Sequence, residues 1–409
     1  FGSRSRVYTD MLPARVAACR PRVSSALGSW ATVSRPCRWV VLRTGVTDLQ
    51  QQRSFSSSTP SWRMTSQEPE GVEALPYSGD VAFCGLGAMG YHMAQHMAAR
   101  AKSSGVKCFV WNRTLETAKQ HAAETGSTAA LELSDLRSTQ VVVMCLPTSA
   151  EDTLLAEQIA GWLSPGSCIV SCTSGAPEAS RSLAADLRKR FNLHFADCPV
   201  SGGPAGAKAG TLTCMLGADS DEAAELASKV VAAFAKKIVR TGPAGSGHAV
   251  KAINNAMNVA HLLLGAEGLL ALQNFGVDPE VALSAINSSS GRSLQTQERL
   301  PKEVLSRKFA YGFKLPLMAK DVGIAKGIME SQFPAPSLLA SAADIVSRAA
   351  AAEGPEADYT RVVCELERAV GTELGNAVPK GSGNAALSAA PVAETPCMYE
   401  ADSALRSTL

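Results

Sequence analysis

The sequence predicts an α/β domain built on a doubly wound parallel sheet, followed by an all-α C-terminal domain. Three observations carry that expectation. From Asp80 to about Gly242, short apolar runs alternate with amphipathic stretches, the pattern of parallel strands joined by crossover helices. After Gly242 the strand-like runs stop. Ser246 to Asn274 then reads as one long helix closed by Gly276, a residue type that accepts the left-handed conformation at a helix C-terminus.

The strand runs are Val81–Cys84, Lys107–Trp111, Val141–Leu146, Cys168–Cys172, Leu193–Ala196 and Ile238–Val239. Each is short and rich in β-branched or aromatic residues, as buried strands are. Helical periodicity covers Thr114–Glu124 and Pro177–Arg190, the second opening on a proline, whose missing N–H costs nothing in a first turn. Helical segments continue beyond the long helix to about Leu374, and no internal repeat is visible. Met89, Met93 and Met97 form a stripe at helical spacing, which reads as core. His92 and His96 lie one turn apart but lack a third ligand, so they read as surface or packing residues.

Composition sets outer bounds. The 409 residues are 46% hydrophobic and 19% charged, enough for two domains with real cores and unlike a disordered, collagenous or coiled-coil chain. The net charge of +2 argues against a dedicated nucleic-acid binder. No unbroken apolar run is longer than Val141 to Leu146, which is strand-sized and far below a membrane span. Eleven cysteines are present without CxxC or Cys/His spacing, and Cys84, Cys108 and Cys145 lie within short apolar runs. They read as small core residues in a reducing interior, with no structural metal.

The termini differ from the middle. Residues 11–66 hold Arg15, Arg20, Arg22, Arg35, Arg38, Arg43, Arg53 and Arg63, no lysine and one acid, Asp48. That Arg-rich, Ser-rich, acid-poor composition is expected of a mitochondrial transit segment, and Arg53-Ser54-Phe55 before a serine run looks like a matrix-peptidase site. Residues 1–77 are therefore expected to be leader and linker, with the mitochondrial matrix as destination and the cytoplasm as the alternative. From Asn376 on, Gly, Ala, Ser and Pro dominate, and residues 376–409 read as a disordered tail. The expected domains are 78–243 and 244–375.

Val81–Cys84 runs directly into Gly85-Leu86-Gly87-Ala88-Met89-Gly90. In such a strand–loop–helix the first glycine permits the tight turn and the second lets the backbone approach a pyrophosphate. The third lets helix and strand pack closely, with the phosphates on the helix N-terminus. A second strand at the right distance makes the fingerprint strong and predicts a Rossmann-type dinucleotide-binding domain. That second strand ends Trp111-Asn112-Arg113-Thr114. No carboxylate stands there to meet a ribose 2′-hydroxyl, while Arg113 offers a guanidinium to a 2′-phosphate. NADP(H) is therefore favoured over NAD(H).

Three further segments bear chemistry. Ser201-Gly202-Gly203 follows Asp197-Cys198-Pro199-Val200 and presents a hydroxyl and bare amides that suit a carboxylate. Lys251 and Asn255 are i and i+4 and share one face of the long helix. Lys320-Asp321 follows Leu315–Ala319.

With the fingerprint, these four motifs in this order resemble the β-hydroxyacid dehydrogenase family, which includes 3-hydroxyisobutyrate dehydrogenase and, more distantly, 6-phosphogluconate dehydrogenase. The resemblance covers about Asp80 to Leu374. It implies that Lys251 is the catalytic acid/base, that Asn255 helps orient substrate, and that Ser201, Gly202 and Gly203 hold the substrate carboxylate. It also implies that Lys320 lies near the nicotinamide and that Leu146-Pro147 and Ser174 contact the cofactor. The expected activity is interconversion of a small 3-hydroxy acid and its semialdehyde by hydride transfer, in a homodimer or homotetramer built through helical domains. No membrane or nucleic-acid partner is expected. A glyoxylate or succinic semialdehyde reductase is the nearest alternative, and a non-catalytic NADP-binding interaction protein the alternative from another class.

Departures from the family pattern also bear on function. Ser171, Thr173 and Ser174 stand where relatives often have Asp and then Ser-Thr. The decarboxylating members carry a glutamate seven residues after the lysine. Asn258 occupies that position here, so decarboxylation is not expected. His248, three residues before Lys251, reads as a bystander that contacts solvent.

Overall fold

The computed structural model describes residues 79–375 except Pro334. The expected leader and C-terminal tail lie outside the described residues.

A mixed sheet is assembled from β1 (Asp80–Cys84), β2 (Cys108–Trp111), β3 (Thr128–Ala129), β4 (Thr139–Met144), β5 (Cys168–Ser171), β6 (His194–Asp197), β7 (Val200–Ser201), β8 (Leu212–Ala218) and β9 (Ala235–Gly242). Spatial order is β3-β2-β1-β4-β5-β6-β8-β7, with β9 paired to β8. The order reverses between β1 and β4, the topological switch point beside which α/β sheets bind ligands. The pairings from β3 to β6 are parallel, and their register sets Cys84 level with Met144, Met144 with Ser171, and Ser171 with Asp197. The strands therefore end in one row, and the residues after them form a single edge.

Side chains alternate across the sheet as the two-residue period requires. Val81, Phe83, Val141 and Val143 pack with Met93, Met97, Phe234 and Val230 on one face. Ala82, Cys84, Val142 and Met144 pack with Leu155, Ile159, Leu183 and Leu187 on the other. The helices so engaged are α1 (Gly90–Ser103) and α6 (Asp221–Val231) on the first face, and α3 (Ser149–Ala160) and α4 (Pro177–Phe191) on the second. A further helix, α2 (Leu115–Thr125), follows β2.

The structure corrects the sequence reading at the far edge of the sheet. The expected parallel order breaks at β8, which runs antiparallel to both β6 and β7. Only the stretch from Cys198 to Thr211 separates β6 from β8, and it holds β7 and the seven-residue α5 (Gly203–Ala209). That is too compact for a helical crossover back to the same end, so the chain turns round. No strand was expected from sequence between Ala196 and Ile238, yet Leu212 opens this buried one. The sequence also extended two strands too far, since β4 stops at Met144 and β5 at Ser171. Residues 145–147 and 172–174 are thereby free to form the rim of the site.

Beyond the sheet, α7 (Ser246–Phe275), α8 (Pro279–Asn287), a π helix (Gln295–Leu305), α9 (Leu315–Gln332), α10 (Leu338–Glu353) and α11 (Val363–Val370) follow. Ala256, Val259, Leu263, Ala266 and Leu270 line the buried stripe of α7 and contact a core shared with Met318, Val322, Val346 and Val363. Truncating a buried leucine of that stripe to alanine is expected to cost about 2–5 kcal/mol. By length and composition α7 could cross a membrane, but its buried stripe packs into the core just described. Polar residues such as Asn258 and His261 break every apolar run in this helix, which is why counting uninterrupted runs missed it.

Candidate active site

The glycine loop is built by close contacts that only glycine tolerates. Gly85 has φ +99°, and a Cβ on it would stand 2.3 Å from the Cys145 carbonyl oxygen. A Cβ on Gly90 would stand 1.9 Å from the Gly85 oxygen, whereas one on Gly87 meets nothing within 4 Å. The first and third glycines thus permit packing, and the second leaves open space. Asn112 Oδ1 accepts a 3.0 Å bond from the Leu86 amide, and Asn112 Nδ2 donates to the Thr114 oxygen. Asn112 therefore braces the loop. No acidic residue occupies the first turn of α1, so its dipole and amides face the loop uncompensated. Arg113 and Thr114 are exposed at the end of β2, and Thr114 makes no side-chain cap to α2.

The rim after β4 and β5 is tied from beneath by Asp152 of α3. Its carboxylate accepts bonds from the Ser171 hydroxyl and, at 2.7 Å, from Thr173 Oγ1. Thr173 Oγ1 in turn accepts the Leu146 amide at 2.9 Å. Burial pushes the Asp152 carboxyl up to about 6, against the hydrogen bonds that draw it down. The Ser171 hydroxyl is thus met by an acid carried on α3. Across the cleft, Lys320 Nζ on α9 donates to the Pro147 oxygen at 3.0 Å and to the Ser174 oxygen at 2.5 Å.

The position of Lys251 follows from the way α7 begins. Asp197, at the end of β6, accepts the Gly245 amide at 2.6 Å and the His248 amide at 2.8 Å, a carboxylate on a helix N-terminus. His248 is buried, contrary to the solvent contact expected from sequence. Its Nε2 lies 2.9 Å from the Thr173 carbonyl and its Nδ1 2.7 Å from Ser180 Oγ. A carbonyl only accepts, so the hydrogen is assigned to Nε2, with Nδ1 accepting from the serine. Burial lowers the His248 pKa to about 4, and the ring is neutral. It fastens the rim after β5 to the first turn of α7.

One turn further on, Lys251 is 9% exposed and Asn255 is 8% exposed. Burial lowers the lysine pKa, Asp321 acts to raise it, and Lys320 lowers it further. Asn255 Nδ2 donates to Asp321 Oδ2 at 2.6 Å. Lys320 Nζ stands 3.3 Å from Asp321 Oδ1. From sequence the Lys320-Asp321 pair alone would pass for a solvated charge pair, yet Asp321 is 2% exposed. Lys251 itself makes no hydrogen bond or ion pair with any described residue.

These groups meet in a cleft of about 390 Å³ between the sheet edge and the helices. Of the residues expected from sequence, Ala88, Met89, Leu146, Pro147, Ser174, Ser201, Gly202, Gly203, Lys251, Asn255 and Lys320 line it. Gly85, Leu86, Gly87, Gly90, Asn112, Arg113 and Thr114 form the glycine loop and the adjoining strand end, outside the cleft lining. Gly202 and Gly203 have φ +137° and +62°, a left-handed pair that turns β7 into α5. Asn258 also lines the cleft. Sequence reasoning named the Lys320-Asp321 pair but gave Asp321 no role, and it missed Asp152 beneath the rim and the wall formed by Tyr311, Phe313 and Tyr359. The two aromatics flanking Gly312 were a usable signal in a chain only 5% aromatic.

The open space over Gly87, the uncompensated α1 terminus and the rim at 145–147 and 172–174 fit a dinucleotide with its nicotinamide end in the cleft. Among the described residues no group of three or more His, Cys, Asp or Glu is arranged to hold a metal.

Comparison with known proteins agrees with the geometry. Residues 80–242 match the model of the NAD binding domain of 6-phosphogluconate dehydrogenase. Residues 245–366 match the model described as NAD-binding of NADP-dependent 3-hydroxyisobutyrate dehydrogenase. The chain is 33% identical over 262 residues to an NAD-dependent L-serine dehydrogenase of Pseudomonas aeruginosa, covering 60% of this chain and 84% of that protein. It is 30% identical over 285 residues to the mitochondrial 3-hydroxyisobutyrate dehydrogenase of Homo sapiens, covering 67% and 82%. Among solved structures, Mycobacterium tuberculosis 3-hydroxyisobutyrate dehydrogenase with L-serine superposes with a TM-score of 0.64 at 25% identity, covering 70% of this chain and 99% of that one.

Proposed function

The chain belongs to the β-hydroxyacid dehydrogenase family and is an NAD(P)-dependent hydroxy-acid oxidoreductase; from that premise we propose that it interconverts a small 3-hydroxy acid and its semialdehyde, with Lys251 as acid/base and NADP(H) as preferred cofactor. The observation that carries this reading is Lys251 itself. It is a buried amine in the cleft lining, its pKa lowered by burial, and among the described residues its hydrogens have no partner.

In this reading Ser201 and the amides at Gly202 and Gly203 hold the substrate carboxylate, and Asn255 orients the hydroxyl. The nicotinamide, when bound, takes up or supplies the hydride. During oxidation neutral Lys251 accepts the hydroxyl proton as the carbon gives up hydride, leaving the aldehyde. In reduction Lys251, protonated, returns a proton to the aldehyde oxygen. Lys320 fixes both rim carbonyls, so the reacting carbon is held against a rigid edge and the step proceeds as an intramolecular one. Arg113, exposed and without an ion pair among the described residues, supports the preference for a 2′-phosphate.

Val250, Met257, Leu264 and Phe275 are exposed along α7. This outward apolar face supports assembly of the chain into a homo-oligomer through its helices. The Arg-rich composition of residues 11–66 supports delivery to the mitochondrial matrix.

Initial rates followed by nicotinamide absorbance test the reading. The panel is 3-hydroxyisobutyrate, glycerate, threonate and L-serine in one direction, and succinic semialdehyde, tartronate semialdehyde and glyoxylate in the other, each with both cofactors. A clear NADP(H)-dependent rate on a 3-hydroxy acid is expected. NADPH binding without turnover of any of these would support the interaction-protein alternative instead.

A further inference from the structure

The wall facing the Ser201–Gly203 loop contains a hydroxyl that no described residue uses. Tyr311 lines the cleft, and its Oη stands 3.5 Å from where a Cβ on Gly203 would be. Tyr311 makes no hydrogen bond to any described residue, although its ring is tightly held. The Arg299 guanidinium carbon lies 3.8 Å from the centre of that ring. The Tyr359 ring meets it edge-on at 5.5 Å and 77°. The backbone is pinned as well, since Asp358 Oδ2 accepts the Gly312 amide at 2.7 Å and the Phe313 amide at 3.3 Å, and Tyr359 N donates to the Phe313 oxygen at 2.8 Å.

A side chain this ordered, with its one polar atom unpaired and aimed at the carboxylate loop, is a waiting donor. We propose that Tyr311 completes the carboxylate subsite by donating its hydroxyl to the substrate carboxylate opposite Ser201, and that Arg299 is the positioning residue that holds it there. The inference rests on the proposed function. It adds a third side of recognition that the Ser-Gly-Gly loop alone does not provide. The guanidinium on the ring face both fixes the tyrosine plane and places a positive charge behind the hydroxyl, which strengthens the attraction to an anion on the cleft side. Arg299 is carried on the π helix, a winding found disproportionately at functional sites.

The subsite selects for one carboxylate. Among the described cleft residues Lys320 is committed to the Pro147 and Ser174 oxygens, and Lys314 on the rim is paired at 2.9 Å with both Glu356 oxygens. Lys251 is reserved for the hydroxyl. No uncommitted cation lines the far wall, so a second carboxylate on the substrate would meet Phe313, Leu317 and Tyr359. The fitting substrate class is a monocarboxylic hydroxy acid.

The test uses the full chain, saturating NADP⁺ and the best acid from the panel above. Binding of isobutyrate, a carboxylate lacking the hydroxyl, is read by calorimetry on the NADPH-loaded protein. Tyr311→Phe removes one atom and keeps the stacking. It is expected to raise KM for the acid and Kd for isobutyrate by about 10- to 100-fold, as loss of one hydrogen bond to a charged group does, with kcat within about threefold and KM for NADP⁺ unchanged. Arg299→Gln is expected to move the same constants in the same direction, and Arg299→Lys to recover part of the loss. Unchanged KM and Kd in Tyr311→Phe, or an equal rise in KM for NADP⁺, overturns the assignment and leaves the proposed function intact. Wild-type protein that neither oxidises any acid nor binds isobutyrate overturns the proposed function, and this subsite with it.

Discussion

Asn255 Nδ2 donates a 2.6 Å hydrogen bond to Asp321 Oδ2, joining two helices that approach each other beside the Lys251 amine. The bond links the amide one turn beyond the lysine to the one buried carboxylate that acts on the lysine's charge. Asp321 is itself held above the ordinary carboxylate range by burial, with Lys320, Asn255 and Lys251 drawing it down. Asp321 and Lys251 each act on the other's charge, so the lysine's readiness to take a proton depends on its carboxylate neighbour.

Asp321→Asn tests that dependence. The negative charge of Asp321 favours protonated Lys251 and so raises its pKa against the effect of burial. Removing the charge lowers the lysine pKa further. The acid limb of the oxidation profile, where Lys251 becomes protonated and inactive, is expected to move to lower pH in kcat/KM. A limb that stays in place while kcat falls would mean that Asp321 acts on geometry alone.

Arg113→Asp addresses the cofactor. An exposed guanidinium at the end of β2 is replaced by a charge that repels a 2′-phosphate and suits a 2′-hydroxyl. The ratio of NADPH to NADH affinity is expected to fall by about 10- to 100-fold, measured by fluorescence titration of each. Equal changes for both cofactors would remove Arg113 from 2′-phosphate recognition.

Gly90→Ala addresses the loop. The added Cβ would lie 1.9 Å from the Gly85 oxygen, so α1 must move away from β1. Thermal stability is expected to fall by about 1–3 kcal/mol, and NADPH affinity at least about tenfold, by calorimetry, because the amides that receive the phosphates shift. Gly87→Ala, where a Cβ meets nothing within 4 Å, should lose affinity with little change in melting temperature.

His248→Gln separates stability from catalysis. The folded ring has a pKa of about 4 against an ordinary 6.5, so between those values the unfolded chain binds more protons than the native one. Stability from this residue is complete above about pH 6.5 and drains away as pH falls towards 4, by about 3 kcal/mol in all. Asp152 and Asp197, each pushed up to about 6 by burial, act with opposite sign between their ordinary 3.8 and 6, and they remain in the variant. Wild type is therefore expected to be the more stable protein at pH 7.5, with the gap closing as pH falls towards 4.5, read from urea midpoints. A gap independent of pH would show that the ring takes up its proton in the fold as readily as in the unfolded chain.

Much of this architecture was legible because it is written in periodicity and in glycine. Val81–Cys84 running into Gly85-Leu86-Gly87-Ala88-Met89-Gly90 admits few other foldings, and Lys251 with Asn255 at i and i+4 on a long apolar helix fixes two polar groups on one face. What stayed illegible is what depends on contacts between distant segments. Asp152 lies 19 residues from Ser171, and nothing local marks it as the acid that ties the rim. The antiparallel β8 was absent from the strands expected, and its direction could not be read locally because strand direction is set by its partners. Asp321 read as half of a surface ion pair, since burial is a tertiary property. Tyr311 is set in place by Arg299 and by the 357–359 segment, and no spacing rule joins those three.

The most direct test of the central claim is the rate of oxidation of the preferred 3-hydroxy acid by Lys251→Ala, beside a calorimetric titration of NADPH. If Lys251 takes the hydroxyl proton, turnover falls by about two to four orders of magnitude while NADPH affinity and melting temperature stay near wild type. Turnover within about threefold of wild type would contradict the claim and shift the search for the base to other groups lining the cleft.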